Sequence, residues 1–195
     1  MLMANNNNIK QAAFHLFARK GYGSTSMQDI AQEVGLKKQS LYSHFASKQE
    51  LYAVILHEQS HIIMTEMQLA VDRLESEPTE VLFKGLFQCL IDVFSCKERL
   101  LLWKRGFMVQ GDNEAPAIIT RPDLHFDSRL WDRLYNIVKA KHERLARPES
   151  FRTFFLSYIL SIQGYFDWMI GIGHSEEVFE SLWKHIWYGI HEFID

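Results

Sequence analysis

The chain is poor in residues that interrupt helices or crosslink a fold. Its 195 residues contain four prolines and two cysteines, Cys89 and Cys96. A separation of seven residues along one helix is too long for a disulfide bond. We therefore expect free thiols in a reducing cytoplasm. The scarcity of proline and the short β-branched runs predict an all-α fold of about nine helices.

Motifs of common enzyme and membrane classes are also missing. The sequence has no G-x-S-x-G, P-loop or dinucleotide-binding pattern. Its most apolar stretch, residues 154–173, contains Gln163 and Asp167, which favours a buried helix over a membrane span. The first residues lack the pattern of a signal peptide. We expect a cytoplasmic protein that is not an enzyme, uses no cofactor and has no membrane partner.

One pattern does match an enzyme motif. His57, Glu58 and His61 have the HExxH spacing of zinc metalloproteases, which places both imidazoles on one helix face. A chance match is the alternative, because the chain has nine histidines and no third ligand follows in a recognisable setting. We favour the chance match and predict no metal site, with incidental metal binding or a zinc hydrolase as minor alternatives.

Residues 25–51 have the pattern of three short helices packed on one another. Thr25 and Gln28 have the spacing of a capping box, which predicts a helix that begins near Ser26. Gly35 provides the left-handed residue that ends this helix. The first two elements of the stretch are therefore a short helix and a tight turn.

A second helix is predicted from Lys37 to His44, and it is polar except for the buried Leu41. Ser47 and Glu50 form another capping-box pattern, which begins a third helix. Two helices joined by a short turn with glycine, the second polar and basic, are typical of a helix-turn-helix. The second helix is therefore expected to enter the major groove of DNA.

The net charge of −3 hides an asymmetry between the two ends of the chain. Residues 1–50 contain six Lys and Arg against three acidic residues, a net charge of +3, which leaves −6 for the remainder. A basic end on an acidic chain places a polyanionic partner at the amino terminus.

These features resemble the DNA-binding region of TetR-type transcriptional regulators. The resemblance is ordered and free of gaps from Ile9 to Leu51, and the rest of the chain resembles the family only in length and helical character. It implies a helix-turn-helix DNA-binding domain at residues 1–50 and a helical effector-binding and dimerisation domain at residues 51–195. The matching residues are Ile9, Ala12, Ala13, Leu16, Phe17, Gly21, Tyr22, Thr25, Ile30, Ala31, Gly35, Leu41, Tyr42, Phe45, Lys48 and Leu51.

The resemblance also implies which residues meet DNA. By type and position, Lys38 and Gln39 are expected to read base edges. The family often has a small capping residue where Lys37 stands and Gly or Ala where Gln39 stands, so the operator sequence does not transfer. Thr25, Tyr42, His44 and Lys48 match family positions that hold the DNA backbone. The full predicted set is Thr25, Ser26, Lys37, Lys38, Gln39, Ser40, Tyr42, Ser43, His44 and Lys48.

The last two helices have two interpretations. The eighth is apolar nearly all round, and small residues on one face would allow another helix to approach closely. It is either the core of the second domain or, with the ninth helix, half of a four-helix interface between two subunits. The resemblance favours the homodimer, with interface residues Ser157, Ser161, Gly164, Trp183, Trp187 and Ile190.

Aromatic and methionine residues are abundant in the second domain. Singly they are more typical of a core, but their number favours a pocket for an apolar or aromatic effector. Arg105, Tyr158 and Gln163 are the candidate polar anchors. The predicted effector-binding residues are Met64, Met67, Trp103, Arg105, Phe107, Tyr135, Tyr158 and Gln163.

The resulting prediction is a homodimeric, ligand-responsive repressor. It binds a palindromic operator in double-stranded DNA and is released by a small-molecule effector. The alternative is a DNA-binding architectural or partner-recruiting protein that has no effector.

Overall fold

The computed structural model describes residues 5–108, 128–143, 145 and 147–191. All regular structure in these ranges is helical, which confirms the predicted all-α class. The α-helices in these ranges are α1 (Asn6–Lys20), α2 (Met27–Glu33), α3 (Lys38–Tyr42), α4 (Lys48–Leu74), α5 (Thr79–Val93), α6 (Lys97–Met108), α7 (Ser128–Lys141), α8 (Pro148–Ile172) and α9 (Glu176–His191).

The chain divides into two compact units. The head unit comprises Met1–Ile62 and Cys96–His125, and the body unit comprises Ile63–Ser95 and Phe126–Asp195. This division differs from the predicted boundary after residue 50, because the first part of α4 and the whole of α6 belong to the head unit.

The head unit is held together by an apolar core, to which each of its short helices contributes buried side chains. Leu41 of α3 is fully buried and Phe45 nearly so, as the sequence predicted. Leu102 of α6 lies in the same cluster although it is distant in sequence. The remaining members are Ile9, Ala13, Phe17, Ala18, Met27, Ile30, Ala31, Leu51, Tyr52 and Ile55.

Arg105 of α6 caps the carboxyl end of α1. Its Nε donates to the carbonyl of Ala18 at 3.1 Å, and its Nη2 donates to the carbonyl of Arg19 at 3.0 Å. These bonds satisfy carbonyls that a helix end leaves without an intrahelical partner. Gly21 follows with φ of +86°, and a Cβ there would lie 3.0 Å from Arg105 Nη1. The backbone conformation therefore favours glycine, and a larger residue would also crowd the Arg105 guanidinium.

The capping box of α2 is formed by Ser26 and Asp29, so the predicted capping by Thr25 and Gln28 is wrong. Ser26 Oγ accepts from the backbone N–H of Asp29 at 3.1 Å, and Asp29 Oδ2 accepts from the backbone N–H of Ser26 at 2.8 Å. Thr25 is buried instead, and its hydroxyl donates to the carbonyl of Gly21 at 2.7 Å.

The capping pattern predicted for α4 is confirmed in part. Ser47 Oγ accepts from the backbone N–H of Glu50 at 3.0 Å, as expected. The Glu50 carboxylate accepts from the backbone N–H of Ala46 at 2.7 Å, one residue earlier than a capping box requires.

The body unit has a core of aromatic rings from α5, α8 and α9. Phe83 meets Phe154 and Tyr158 edge to face, with ring centroids 4.8 and 5.0 Å apart. Phe87 meets Phe179 in the same way at 5.2 Å. The Tyr158 hydroxyl donates to the carbonyl of Phe83 at 2.8 Å, and burial raises the pKa of this phenol well above its ordinary value.

Within the body unit, α7 binds the carboxyl end of α4. Arg133 pairs with Asp72 at 2.5 Å and with Glu75 at 2.6 Å. Lys141 Nζ donates to the carbonyls of Glu75 and Glu77 at 2.7 and 2.5 Å. Arg133 thus neutralises two carboxylates, and Lys141 places a positive charge at the negative end of the α4 dipole.

We predict that Ser26→Ala lowers the free energy of unfolding by about 1 kcal/mol, because it removes the side-chain cap of α2. Urea denaturation measures this loss. Ser24→Ala is the matched control, since Ser24 is an exposed turn residue just before the cap. An equal loss from both substitutions would contradict the role of Ser26.

The difference in the free energy of unfolding between the parent protein and Ser26→Ala depends on pH. The hydroxyl and backbone N–H of Ser26 hold the pKa of Asp29 below its ordinary value of 3.8. The contribution of the ionised carboxylate is complete above that value and is lost as the pH falls through the lowered pKa. The difference between the parent protein and Ser26→Ala should therefore shrink in that acidic range.

Candidate nucleic-acid interface

Helix α3 presents a nearly continuous polar surface. Lys37, Lys38, Gln39, Ser40 and Ser43 are exposed, and Tyr42 is 45% exposed. Only Leu41 points into the core. The structure therefore brings most of the predicted DNA-binding residues together on one short element.

The turn before α3 has the geometry expected of a helix-turn-helix. Gly35 has φ of +68°, a left-handed conformation that favours glycine. The backbone N–H of Leu36 then donates to the carbonyl of Ala31 at 2.8 Å, which folds the chain back onto α2. Lys37 lies at the N-cap position of α3 but makes no side-chain capping bond. Its ammonium group is thus not used to hold the helix.

The positive charges of the head unit are not equally available. Three of the six Lys and Arg in residues 1–50 pair with carboxylates of the head unit: Lys10 with Glu58, Arg19 with Glu98 and Lys20 with Asp29. Within the described residues, Lys37, Lys38 and Lys48 form no ion pair. Among the Lys and Arg of residues 1–50, those that form no ion pair therefore lie at the start of α3 and at the start of α4.

Lys48 is positioned by Tyr22. Its Nζ donates to the Tyr22 carbonyl at 2.9 Å and lies 4.2 Å from the centroid of the Tyr22 ring. The Tyr22 ring in turn contacts Phe17 and Tyr52, at centroid distances of 5.9 and 4.8 Å. An ammonium group has three donors, so those not used by the carbonyl can bind a phosphate oxygen.

Two other predicted residues are held by neighbours. His44 Nδ1 lies 2.7 Å from Asn6 Oδ1, which ties the residues after α3 to the start of α1. Ser26 is exposed, but its hydroxyl donates to Asp29 at 2.6 Å within the capping box. Thr25 is only 1% exposed, and this burial contradicts the predicted contact of its side chain with DNA.

The predicted effector-binding residues are divided between the two units. Met64, Met67, Tyr135, Tyr158 and Gln163 belong to the body unit, whereas Trp103, Arg105 and Phe107 belong to the head unit. The side chain of Phe107 lies outside the described part of the structure.

Two of the three proposed polar anchors have other roles. The Arg105 guanidinium donates to the carboxyl end of α1, and the Tyr158 hydroxyl donates to the carbonyl of Phe83. Tyr158 and Met67 are 1% and 2% exposed and lie in the body core. These observations contradict an anchoring role for Arg105 and Tyr158, because their donors serve the fold itself.

The predicted interface residues also separate into two groups. Ser157, Ser161 and Gly164 lie along α8, and the two serine hydroxyls donate to carbonyls one turn earlier in the same helix. Trp183 is 2% exposed and stacks on Trp187 at 5.8 Å, so it is a core residue and not an interface residue. The side chain of Ile190 lies outside the described residues.

Apolar side chains of α8 and α9 remain exposed, and the sequence did not predict which ones these are on α8. Leu156 and Leu160 on α8 are 50% and 70% exposed, and Tyr188 on α9 is 82% exposed. The sequence signal for this exposure was that α8 is apolar on nearly every side, because one neighbouring helix cannot cover such a surface.

The HExxH residues are not arranged for catalysis. His57 and His61 are exposed on α4, and the Glu58 carboxylate pairs with Lys10. In the described ranges, no group of three or more His, Cys, Asp or Glu could hold a metal ion. Among those same residues, no helix has the combined length and apolarity that crossing a membrane requires.

The turn, the polar short helix and the exposed lysines beside it have the geometry of a helix-turn-helix. Residues 9–55 match the family described as "Bacterial regulatory proteins, tetR family". A 40-residue stretch is 52% identical to the "Biofilm operon icaADBC HTH-type negative transcriptional regulator IcaR" of Staphylococcus aureus (strain Newman). That stretch covers 20% of this chain and 22% of the length of the staphylococcal protein.

Solved structures share the fold over nearly the whole chain. A TetR-like transcriptional regulator from Rhodococcus sp. RHA1 has a TM-score of 0.71 at 17% identity, covering 95% of this chain and 94% of its own. The ketosteroid transcriptional regulator KstR2 of Mycobacterium tuberculosis has a TM-score of 0.58 at 16% identity, covering 98% and 96%. Residues 9–55 are therefore similar to the tetR family of bacterial regulatory proteins, and the chain shares its fold with solved structures of TetR-type regulators.

Proposed function

We propose that the protein is a transcriptional repressor that binds a palindromic operator in double-stranded DNA as a homodimer and leaves it when a small apolar or aromatic effector binds. The observation that carries this proposal is the unneutralised charge of Lys37, Lys38 and Lys48 beside the exposed face of α3. Phosphate contacts supply much of the affinity of such proteins. The partial identity to a negative transcriptional regulator supports repression as the outcome.

Direct reading of the operator is assigned to the start of α3. Lys38 and Gln39 are exposed and adjacent, and residues at the start of a recognition helix reach base edges in the major groove. A lysine can donate to guanine acceptors, and a glutamine amide can pair with both groups on the edge of adenine. Tyr42 and Lys48 are assigned to contacts with the DNA backbone. Such contacts position the protein without reading the base sequence.

We predict that Gln39→Ala relaxes the base preference at one position of each half-site, at a cost of about 1–3 kcal/mol in discrimination. Tyr42→Ala and Lys48→Ala should weaken binding to all sequences alike. Footprinting on DNA flanking the protein's own gene would supply the operator, and fluorescence anisotropy with single-base variants would measure each affinity.

Gln32→Ala is the control for this series, because Gln32 is an exposed amide on α2 outside the recognition helix. It should leave both affinity and preference unchanged. A uniform loss of affinity for Gln39→Ala would refute its role as a base reader.

A second subunit is proposed because one head has a net charge of only +3 over residues 1–50. Such a head should bind DNA weakly, whereas two heads on a palindrome add their phosphate contacts. The exposed side chains of Leu156, Leu160 and Tyr188 in the body unit are a suitable apolar surface for a second copy. Gly164 on α8 is exposed with open space at its Cβ position, which would let a partner helix approach closely.

We predict that Leu160→Glu converts the dimer to a monomer and strongly weakens operator binding, because it places a charge in an apolar interface. Size-exclusion chromatography with light scattering measures the mass. Leu69→Glu on α4 is the matched control, since Leu69 is 47% exposed and lies outside this surface. A parent protein that is monomeric at micromolar concentration would overturn the dimer proposal.

The effector is proposed to contact Met64, Tyr135 and Gln163, which are half-buried in the body unit. A ligand changes DNA binding only if its affinity differs between the DNA-binding form and another form of the dimer. An apolar or aromatic compound suits side chains of this type.

A thermal-shift screen with amphipathic compounds, repeated with operator DNA, tests this part of the proposal. We predict a compound that raises the melting temperature and lowers operator affinity, and that loses its effect in Tyr135→Ala while this variant still binds the operator. If no stabilising compound changes operator affinity, the protein is better explained as an architectural or partner-recruiting DNA-binding protein.

A further inference from the structure

The head unit contains a cavity that the proposed regulator function does not use. It has a volume of about 260 Å³ and lies between α1 and α4. Its lining includes Asn7, Gln11 and Phe14 of α1 together with Ile55 and Gln59 of α4. None of these residues belongs to the predicted DNA, effector or interface sets.

The charged groups at the cavity cancel each other. Lys10 of α1 and Glu58 of α4 both line it, and their side chains form an ion pair with each other. A ligand with a net charge would have to compete with this pair and would leave one member without its partner. The paired charges therefore favour a neutral molecule over a charged one.

Three primary amides give the cavity both donors and acceptors. Gln59 Oε1 accepts from Arg99 Nε at 2.9 Å, which fixes the amide and leaves its NH2 group as a donor. Asn7 and Gln11 are exposed and make no side-chain hydrogen bond to any described residue. Each amide carries a carbonyl acceptor and two N–H donors. A matching ligand alternates donors and acceptors along an edge.

The apolar part of the lining favours a flat ligand. Phe14 is partly buried against the head core, and Ile55 is 1% exposed. An aromatic ring that keeps part of its face accessible is a platform on which heteroaromatic bases stack. The volume lies below the roughly 300–1,000 Å³ of pockets for drug-sized ligands and suits one small ring system.

We propose that this cavity binds a free, neutral nucleobase. Glutamine and asparagine amides pair with the two neighbouring polar groups on the edge of adenine, and Phe14 contributes the stacking surface. Adenine is therefore the probe that best combines the required shape and polarity.

The test is a titration of the full-length protein with adenine, followed by the side-chain amide NMR signals of Asn7, Gln11 and Gln59. Benzimidazole is the matched probe of the same shape with fewer polar groups, and glucose is a neutral polar probe without an aromatic face. We expect adenine to shift all three amide signals and to bind at least tenfold more tightly than either comparison probe.

Gln11→Leu should weaken adenine binding at least tenfold, because leucine is similar in size to glutamine but lacks the amide. Gln68→Leu is the matched control, since Gln68 is an exposed amide on α4 outside the cavity. The proposal is overturned if adenine shifts none of the three signals, if benzimidazole or glucose binds as well as adenine, or if Gln11→Leu binds adenine like the parent protein. The titration contains no DNA, so its failure leaves the proposed regulator function untouched.

Discussion

The packing of Leu41 into the head core holds helix α3 and its exposed polar surface in place. Helix α3 has only five residues, and isolated helices of fewer than about 12–15 residues are marginal in water. Its regularity must therefore come from packing, and Leu41 is its single fully buried side chain. Because one residue anchors the element, its neighbours are free to be polar. Lys37, Lys38 and Gln39 can thus serve recognition at little cost in stability.

Local chemistry explains which parts of the fold could be predicted. Helix periodicity and breakers such as Gly35 act over a few residues, so they are visible in the sequence. The choice between two capping boxes was not visible, since Thr25 with Gln28 and Ser26 with Asp29 have the same spacing. It was decided by the carbonyl of Gly21, which accepts the Thr25 hydroxyl inside the head unit.

The positions of the site residues could likewise be predicted only where the local sequence decides them. The exposure of Lys38 and Gln39 could be predicted because α3 is short and has one apolar position. The burial of Trp183 and the exposure of Leu160 could not, because α8 and α9 are broadly apolar and only tertiary packing decides which face their own unit covers. The roles of Arg105 and Tyr158 were missed for a related reason, since each binds a backbone carbonyl far away in sequence.

The inclusion of α6 in the head unit has a consequence for protein engineering. Leu102 completes the same apolar cluster as Leu41, and Arg105 caps α1. A fragment cut after residue 50 would lose both, together with Leu51, Tyr52 and Ile55. Chimeric proteins that transfer only the amino-terminal segment onto another protein would therefore carry an incomplete core. The transferable module is discontinuous in sequence, and a working exchange must bring α6 with it.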